Sequence, residues 1–274
     1  MRTAWQDLRY ALRLLRLNPG FAAVVILSLA LGIGANTAIF QLIDAIRMRA
    51  LPVQNPQELA IIKIADRKWG SGRFTGRWPS LSNPLWEQIR ERQEAFSGIA
   101  AWSANTWNLA AGGEVRNAQA LYVSGDFFGV LGVPAAMGRV LRPEDDRPGC
   151  AAPAAVISHA FWQGEYGGDA GVVGKKLRLE GQPFEIVGVT PPGFFGVEVD
   201  RSFDVAVPIC ADKIIRGEQS MLEMRHGWWL ASIGRLKPGW THERATAHLK
   251  AISPAIMEAT LPPVYNAENA KKYN

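Results

Sequence analysis

The sequence predicts an α+β protein with one N-terminal transmembrane helix, followed by a two-lobed domain outside the cytoplasm. Two observations predict this fold class. No charged residue occurs from Leu17 to Ile43, and beyond residue 55 strand and helix patterns flank a strand-rich middle. At 274 residues the chain is long enough for one large domain or two modest ones. Its net charge of +5 is mild and no basic block carries interleaved aromatics, which argues against nucleic acid as a partner.

The uncharged N-terminal stretch is long enough to cross a membrane. Its apolar part, Phe21 to Ile43, would measure roughly 34 Å as a helix, against a bilayer core of about 30 Å. A secretory signal has a shorter apolar stretch, so residues 18–48 are predicted to form an uncleaved transmembrane helix. The N-terminal side carries the stronger positive bias, which places the N-terminus in the cytoplasm and the main domain outside it. The basic residues on that side are Arg2, Arg9, Arg13 and Arg16.

Residues 1–17 contain a second pattern, a basic amphipathic helix. Apolar residues recur at helical spacing at Trp5, Leu8, Leu12 and Leu15. The other side carries Arg9, Arg13 and Arg16. Such a helix before a membrane span usually lies on the membrane surface, and the pattern alone favours this interpretation. The alternative is a coupling element that contacts a cytoplasmic partner. Asn18-Pro19-Gly20 then redirects the chain into the span.

The stretch LALGIGANTAIF, residues 29–40, admits two interpretations. Its two glycines begin a dinucleotide-binding fingerprint, but Thr37 stands at the third glycine position and the segment lies inside a membrane-length helix. It is therefore predicted to be a helix-packing face, with small residues at i, i+4 and i+8: Ala30, Gly34 and Ala38. Lipid solvates Asn36 and Thr37 poorly, so both are expected to face protein. With no second span in the sequence, we expect the helix to pack against other chains or a further part of the full protein.

The exterior part begins and ends with a strand and a helix. LAIIKI (59–64) predicts a strand, a helix begins at Ser82-Asn83-Pro84 and runs to about Phe96, and a second strand starts at Ile99. Near the end, WWLASIGRL (228–236) predicts one strand. Thr241 then caps a helix that Pro254 kinks or ends. This recurrence predicts that the first lobe is built from both ends of the chain.

The middle of the chain is rich in predicted strands and turns. Gly181-Gln182-Pro183 separates KLRLE from FEIVGV, which predicts a hairpin, and DVAVPI (204–209) predicts a further strand. Cys150 and Cys210 form no metal motif. They would pair in an extracytoplasmic domain, but two unrelated thiols are the simpler interpretation.

No set of residues predicts catalysis, a cofactor or a metal, so the chain is not predicted to be an enzyme. The glycine-rich stretch 168–176 lacks the spacing of a phosphate-binding loop. His242 and His248 are six residues apart, too far around a helix to bind one zinc ion. Glu144-Asp145-Asp146 lacks the Gly and Glu of a calcium loop, so a solvated turn is favoured.

Four long blocks, spread over nearly the whole sequence, follow one another in a recognisable order. They are DLRYALRLLRLNPGFAAVVILSLALGIGANTAIFQLIDAIRMRALP, YVSGDFFGVLGVPAAMGRVLRPEDD, AVISHAFWQGEYGGDAGVVGKKLRLEGQPFEIVGVTPPGFFGV and IGRLKPGWTHERATAHL. The first resembles the N-terminus of ABC transporter permeases of the MacB/FtsX type, and the others agree with that family. More narrowly, the blocks resemble the orphan permeases of acidobacterial and related genomes.

The resemblance implies a first transmembrane helix and a MacB-like periplasmic core domain. In that domain, two β-α units form a Porter subdomain, and a β-rich Sabre subdomain is inserted between them. The implied parts are a cytoplasmic helix (1–17), the transmembrane helix (18–48), a first Porter-like half (55–105), a Sabre-like insert (106–222), a second Porter-like half (226–260) and a connecting segment (261–274). Three further transmembrane helices normally follow, and the chain ends at NAENAKKYN without them.

The resemblance also implies a function at the bacterial inner membrane. In such systems, ATP hydrolysis by a cytoplasmic subunit is transmitted to the periplasmic domain for efflux or other mechanotransmission. An ATPase would act here in trans, alongside the missing permease helices or a second permease copy, membrane lipid and an unknown periplasmic partner. With this resemblance, a role of the first helix in coupling to the ATPase is as well supported as a role on the membrane surface. The alternatives are a membrane-anchored interaction or scaffold domain and a non-functional truncated permease.

Overall fold

The computed structural model describes residues 2–43, 52–65, 72–75, 81–110, 115–198 and 201–273. The chain divides into two compact units, residues 1–50 and 51–274. The helices are α1 (Arg2–Leu17), α2 (Pro19–Ile43), α3 (Asn83–Arg92), α4 (Phe127–Leu131), α5 (His159–Tyr166), α6 (Ala211–Arg216), α7 (His242–Thr260) and α8 (Ala267–Tyr273). The strands are β1 (Leu59–Ile62), β2 (Arg73–Phe74), β3 (Phe96–Asn108), β4 (Asn117–Val123), β5 (Met137–Gly138), β6 (Ala154–Ile157), β7 (Lys176–Leu179), β8 (Gln182–Val189), β9 (Val205–Pro208), β10 (Gly227–Trp228) and β11 (Ala231–Leu236).

Nine of the strands that the structure describes form one sheet. Their order is β1-β11-β3-β4-β9-β6-β8-β5, with β7 paired to β8, while β10 and β2 pair separately. β1 is antiparallel to β11, with Leu59 opposite Arg235, and β11 is antiparallel to β3. Strands near both ends of the domain therefore lie side by side, and strands from the middle continue the same sheet. The α+β fold class is confirmed.

Helices α3 and α7 begin at the predicted side-chain caps and pack against each other. Ser82 Oγ accepts the Leu85 N–H at 3.3 Å, and Thr241 Oγ1 accepts the Arg244 N–H at 3.2 Å. Each bond satisfies one of the amide groups that have no partner within the first turn of a helix. The cap residues thus fix where both helices of the recurring strand-helix pattern start.

Two helix ends differ from the prediction. α3 ends at Arg92 and not near Phe96, because Gln93 is extended and its side chain accepts the Phe96 N–H at 2.8 Å, where β3 begins. α7 continues through Pro254, so the expectation that this proline could end the helix is wrong. A proline removes one backbone hydrogen bond, and the next turn is held by burial of Ile256 and Thr260.

The segment 228–236 is two strands and not the single strand predicted. β10 pairs with β2, whereas β11 pairs with β1 and β3. Between them, Leu230 forms an isolated bridge with Leu81, and the Leu230 N–H donates to the Leu81 carbonyl at 3.0 Å. The chain therefore changes partners along this segment, which a run of apolar residues does not reveal.

The predicted β7–β8 hairpin is confirmed, with a turn one residue earlier than expected. Glu180 and Gly181 both have positive φ, at 49° and 79°, which is the requirement of a two-residue type I′ turn. Gln182 and Pro183 already belong to β8. The glycine supplies one of the two left-handed conformations without steric cost.

The sheet carries an apolar cluster on each face. Successive residues of β4 alternate between them: Tyr122 belongs to one cluster, and Leu121 and Val123 belong to the other. In the first cluster Tyr122 packs edge-on against Trp107 and Trp229, with ring centroids 4.7 and 5.4 Å away. The sheet is thus buried on both sides, which explains why its central strands are continuously apolar.

A buried ion pair lies beside the first cluster. Asp212 is fully buried, and its Oδ1 lies 3.0 Å from Arg216 Nε. Its Oδ2 accepts the Ser220 hydroxyl at 2.9 Å and the Met221 N–H at 2.7 Å. The pair therefore holds α6 and the turn that follows it in one arrangement.

Cys150 and Cys210 form a disulfide, with their Cα atoms 5.4 Å apart. The interpretation as two unrelated thiols is wrong. The predicted compartment allowed the pairing, but the sequence did not establish it, because 60 positions separate the two cysteines without any spacing motif. Asp146 reinforces the link, since its carboxylate accepts the Cys210 N–H at 2.8 Å and the Gly125 N–H at 3.1 Å.

Asp146 is expected to make the stability of the domain depend on pH. Burial raises its pKa to about 6, against the opposing effect of the two N–H donors. An unfolded aspartate has a pKa of about 3.9, so between about pH 4 and pH 6 the folded state binds more protons than the unfolded state. The free energy of unfolding therefore rises as the pH falls through this window, by roughly 3 kcal/mol from this residue.

We expect Asp146→Asn to remove this contribution. The test is urea unfolding of the full chain at several pH values, followed by tryptophan fluorescence. Every tryptophan except Trp5 lies beyond residue 51, so the signal reports the larger unit. Asp126→Asn is the control, because Asp126 is exposed and makes no capping bond. An Asp146→Asn variant with the pH slope of the wild type would contradict the prediction.

Candidate functional site

Helix α2 is the only helix, among the residues that the structure describes, with the length and apolar character to cross a membrane. The candidate span is Pro19–Gln41. Its large apolar side chains are exposed, as in Phe21 at 68% and Leu31 at 72%. An apolar surface of this extent requires lipid or protein around it.

The packing residues predicted from sequence lie on two sides of α2. Ala30, Gly34 and Ala38 form one stripe, and a methyl group added at Gly34 would meet no atom within 4 Å. Asn36 lies about 160° around the helix from Gly34, at about 100° per residue, so it would contact a different neighbour. The Thr37 hydroxyl donates to the Ile33 carbonyl at 2.8 Å and so needs no polar partner outside the helix. The packing face stays a prediction.

Helix α1 and helix α2 are separated by the single residue Asn18. The Asn18 N–H and side-chain amide both donate to the Leu14 carbonyl, at 3.1 and 3.2 Å. The Asn18 carbonyl in turn accepts the Ala22 N–H at 3.0 Å. Of the predicted coupling or surface residues, four have exposed side chains: Trp5, Arg9, Arg13 and Arg16. The side chains of Leu8 and Leu12 lie outside the described part of the structure.

The segment 52–58, here called the linker, leads into β1. Arg235 of β11 holds it in place. The guanidinium donates to the Gln54 carbonyl at 2.7 Å and to the Asn55 carbonyl at 3.3 Å, and pairs with the Glu58 carboxylate at 2.9 Å. The Arg235 side chain is only 16% exposed. Charged hydrogen bonds of this kind are stronger than neutral ones, so the linker is fixed to the sheet.

The linker is also bonded to the end of α4. Gln54 N–H donates to the Leu131 carbonyl at 3.2 Å, and Arg235 Nε donates to the Val130 carbonyl at 2.9 Å. The Gln54 side chain lies against Gly132, whose φ of +69° suits glycine and where a Cβ would come within 2.8 Å of Gln54. One arginine therefore connects three pieces of backbone: the linker, β11 and the end of α4.

Sequence reasoning did not identify Arg235. Its only signal was a charged residue inside an otherwise apolar strand, between Gly234 and Leu236. Its partners at Gln54 and Glu58 are 181 and 177 positions away. Contacts between residues so far apart in the sequence leave no pattern in the residues near either partner.

Three of the acidic residues and histidines considered from sequence have structural partners: Asp145, Asp146 and His248. Asp145 is bound by Arg139, with Nη2 at 2.8 Å, and the half-buried Asp146 accepts two backbone N–H groups, so these two are not part of a solvated turn as expected. The expectation differs from the structure because Arg139, Cys210 and Gly125 donate hydrogen bonds to these two carboxylates. His248 Nε2 accepts the Glu94 N–H at 3.0 Å. Within the described residues, no group of three His, Cys, Asp or Glu side chains has the arrangement of a metal site.

Comparisons with known proteins agree with this architecture. The model of a family described as the MacB-like periplasmic core domain matches residues 22–252. The periplasmic region of MacB from Actinobacillus actinomycetemcomitans has a similar structure, with a TM-score of 0.52 at 14% identity, covering 80% of this chain and 95% of that chain. The extracellular domain of the noncanonic ABC-type transporter YknZ from Gram-positive bacteria matches with a TM-score of 0.47 at 13% identity, covering 73% and 91%. Among curated proteins, no significant match is found.

The family match covers most of α2 and most of the larger unit. The MacB structure adds independent support for the fold of that domain. Assignment to the acidobacterial orphan permeases stays a prediction. The chain belongs to the family with a MacB-like periplasmic core domain, among the ABC transporter permeases of the MacB/FtsX type.

Proposed function

We propose that this chain is the membrane-anchored core of a MacB-like permease that transmits movement from a cytoplasmic ATPase to the periplasm, for efflux or other mechanical work. The N-terminus and α1 lie on the cytoplasmic side, and α2 crosses the bacterial inner membrane. Residues 51–274 lie in the periplasm. The arginines before α2 support this orientation, and the disulfide suits an oxidising compartment.

The parts of the proposed permease follow the family pattern. Residues 55–105 and 226–260 form the two Porter-like halves, and residues 106–222 form the Sabre-like insert. The direct pairing of β1 with β11 and the packing of α3 on α7 support the joining of the two halves. The ATPase acts in trans, and α2 packs against further permease helices or a second permease copy within the lipid. The periplasmic partner is a protein or cargo of unknown identity.

The observation that carries the proposal is the fixed linker. A domain that only needs an anchor can be tethered by a flexible chain, whereas a domain that is moved needs a stiff connection to the moving helix. Arg235 supports the second case at the domain's end of the connection, because it bonds the linker backbone at Gln54 and Asn55 and pairs with Glu58. The same side chain belongs to β11, near the middle of the domain's β1-β11-β3 ladder.

Arg235→Met is expected to separate movement of the helix from movement of the domain. The test is hydrogen exchange with mass spectrometry on inside-out membrane vesicles of the native host, with and without ATP. In the wild type, ATP should change exchange in α2, in the linker and in β11. In the variant, the change in α2 should persist and the change in β11 should be lost, and the linker amides should exchange faster without ATP.

Arg178→Met is the matched control. Arg178 is also a strand arginine, but it is exposed and donates only a long 3.5 Å bond to the Gly181 carbonyl. Its loss should leave the ATP response intact. If ATP changes β11 equally in wild type and Arg235→Met, the linker does not transmit the movement and the mechanism is wrong.

The alternative function, a periplasmic scaffold on a lone anchor, makes a different prediction for α2. A permease helix has close neighbours at Gly34, whereas a lone anchor has only lipid. Because both native cysteines form the disulfide, Gly34→Cys introduces a single free thiol. A benzophenone maleimide attached to this thiol and irradiated in native membranes inserts into C–H bonds of whatever lies beside it, and should give a defined adduct with a neighbouring protein helix. Ala35→Cys, about 100° around the helix, should give much less. Equal or absent crosslinking at both positions would favour the scaffold.

A further inference from the structure

An apolar groove lies between the end of β1 and the helices α3 and α7. Its volume is about 290 Å³, near the lower end for small-molecule sites. The apolar wall includes Ile61, Ile64, Leu85, Ile89, Leu249 and Met257. Ile61 is 69% exposed although its neighbour Ile62 is buried, so apolar surface remains open at the groove. None of the residues of the linker lines the groove.

Both charged side chains that line the described part of the groove are positive. Lys63 and Lys250 are exposed and line it, and none of the described lining residues is acidic. Of its two hydroxyl groups, that of Thr246 already donates to the His242 carbonyl at 2.8 Å. A ligand would therefore find an apolar wall and two ammonium groups, with few other polar groups to bind.

We propose that this groove binds a single-chain anionic amphiphile. The alkyl chain would lie along the apolar wall, and the anionic head would lie at Lys63 and Lys250. A methylene takes roughly the space of a water molecule, about 30 Å³, so the volume holds on the order of ten methylenes. That is room for one chain and not for the two chains of a phospholipid.

The groove is less suited to an added peptide strand. Such a strand needs a run of unpaired backbone on a sheet edge. β1 ends at Ile62, so Lys63, Ile64 and Ala65 line the groove beyond the strand. Only Ile61 and Ile62 of β1 line the groove, and two residues are fewer than the usual minimum of about three for a strand. The apolar wall and the two lysines are the features that a ligand would use.

The proposal can be tested with a photoreactive probe on the full chain in lipid nanodiscs. The probe is a twelve-carbon alkyl sulfate with a terminal diazirine. The control probe has the same alkyl chain and diazirine but a cationic trimethylammonium head group. After irradiation, mass spectrometry should find the sulfate probe on residues 61–65 and 246–257. Both probes should label α2, which serves as the internal standard, and the cationic probe should not label the groove.

Charge reversal gives the decisive comparison. Lys63→Glu with Lys250→Glu should lower labelling of the groove by the sulfate probe at least about tenfold, and leave labelling of α2 unchanged. Both side chains are exposed, so this variant is expected to fold. Lys176→Glu with Lys237→Glu makes the same change of net charge at exposed positions outside the groove and should have no effect.

A second variant tests the apolar wall. Leu249→Trp fills the groove and should reduce its labelling by the sulfate probe. A urea midpoint close to that of the wild type shows that the variant is folded. Equal labelling by the two head groups, labelling of α2 without the groove, or no response to the lysine variant would each overturn the proposal. Protection of the groove by an acidic peptide but not by an alkyl sulfate would also overturn it. None of these measurements involves ATP, so they are independent of the proposed transmission function.

Discussion

Asp212→Ala is expected to lower the free energy of unfolding of the exterior domain by about 3–5 kcal/mol. The substitution removes the carboxylate that pairs with Arg216 and accepts the Met221 N–H, and all of these groups are buried or nearly so. It leaves the guanidinium beside the rings of Tyr122 and Trp229, 5.9 Å from each centroid, without its counter-charge. A loss of this size is a large part of the 5–15 kcal/mol that typically stabilises a domain. Urea unfolding followed by tryptophan fluorescence measures it.

Two further variants separate the buried charge from the rest of the site. Asp212→Ala combined with Arg216→Met removes both charges and should cost clearly less than Asp212→Ala alone, because no unpaired charge remains. Glu218→Ala removes the exposed partner of Lys213, 3.8 Å away in the turn that follows α6, and should leave the free energy of unfolding unchanged within error. If the double variant is as unstable as Asp212→Ala, the burial of an unpaired charge is not the cause.

Removal of the disulfide is expected to cost about 4 kcal/mol. In the chain-entropy account, a link across about 60 residues restricts the unfolded state by this amount. The variant is Cys150→Ala with Cys210→Ala, measured in urea against the oxidised wild type. The reduced wild type should unfold at the same urea concentration as the double variant. Equal stability of the oxidised and reduced wild type would contradict the prediction.

Local chemistry made much of the fold predictable. Ser82 and Thr241 mark helix starts because their hydroxyl groups bond to amides three residues ahead. Gly181 marks a hairpin, although one residue off in register, because a two-residue turn needs positive φ. The uncharged run of residues 17–43 identifies α2 by length alone. In each case the signal and the structure lie within a few residues of one another.

Long-range pairings were not predictable from one sequence. The disulfide, the hold of Arg235 on the linker and the change of partners at Leu230 each join residues far apart in the chain. Nothing near Arg235 distinguishes it from Arg178, which also lies on a strand yet only reaches its own turn. Burial decides the difference, and burial depends on the assembled sheet.

The pairing of β1 with β11 has a mechanical consequence. The linker runs directly into β1, and β11 joins β1 to β3 through antiparallel ladders. A pull along β1 would load the four paired positions of that ladder together, in shear, and would not open them one after another as in unzipping. Arg235 stands opposite Leu59 at the first of these positions, so force enters where the ladder begins. We expect this arrangement to resist repeated loading far better than a sheet peeled from its edge.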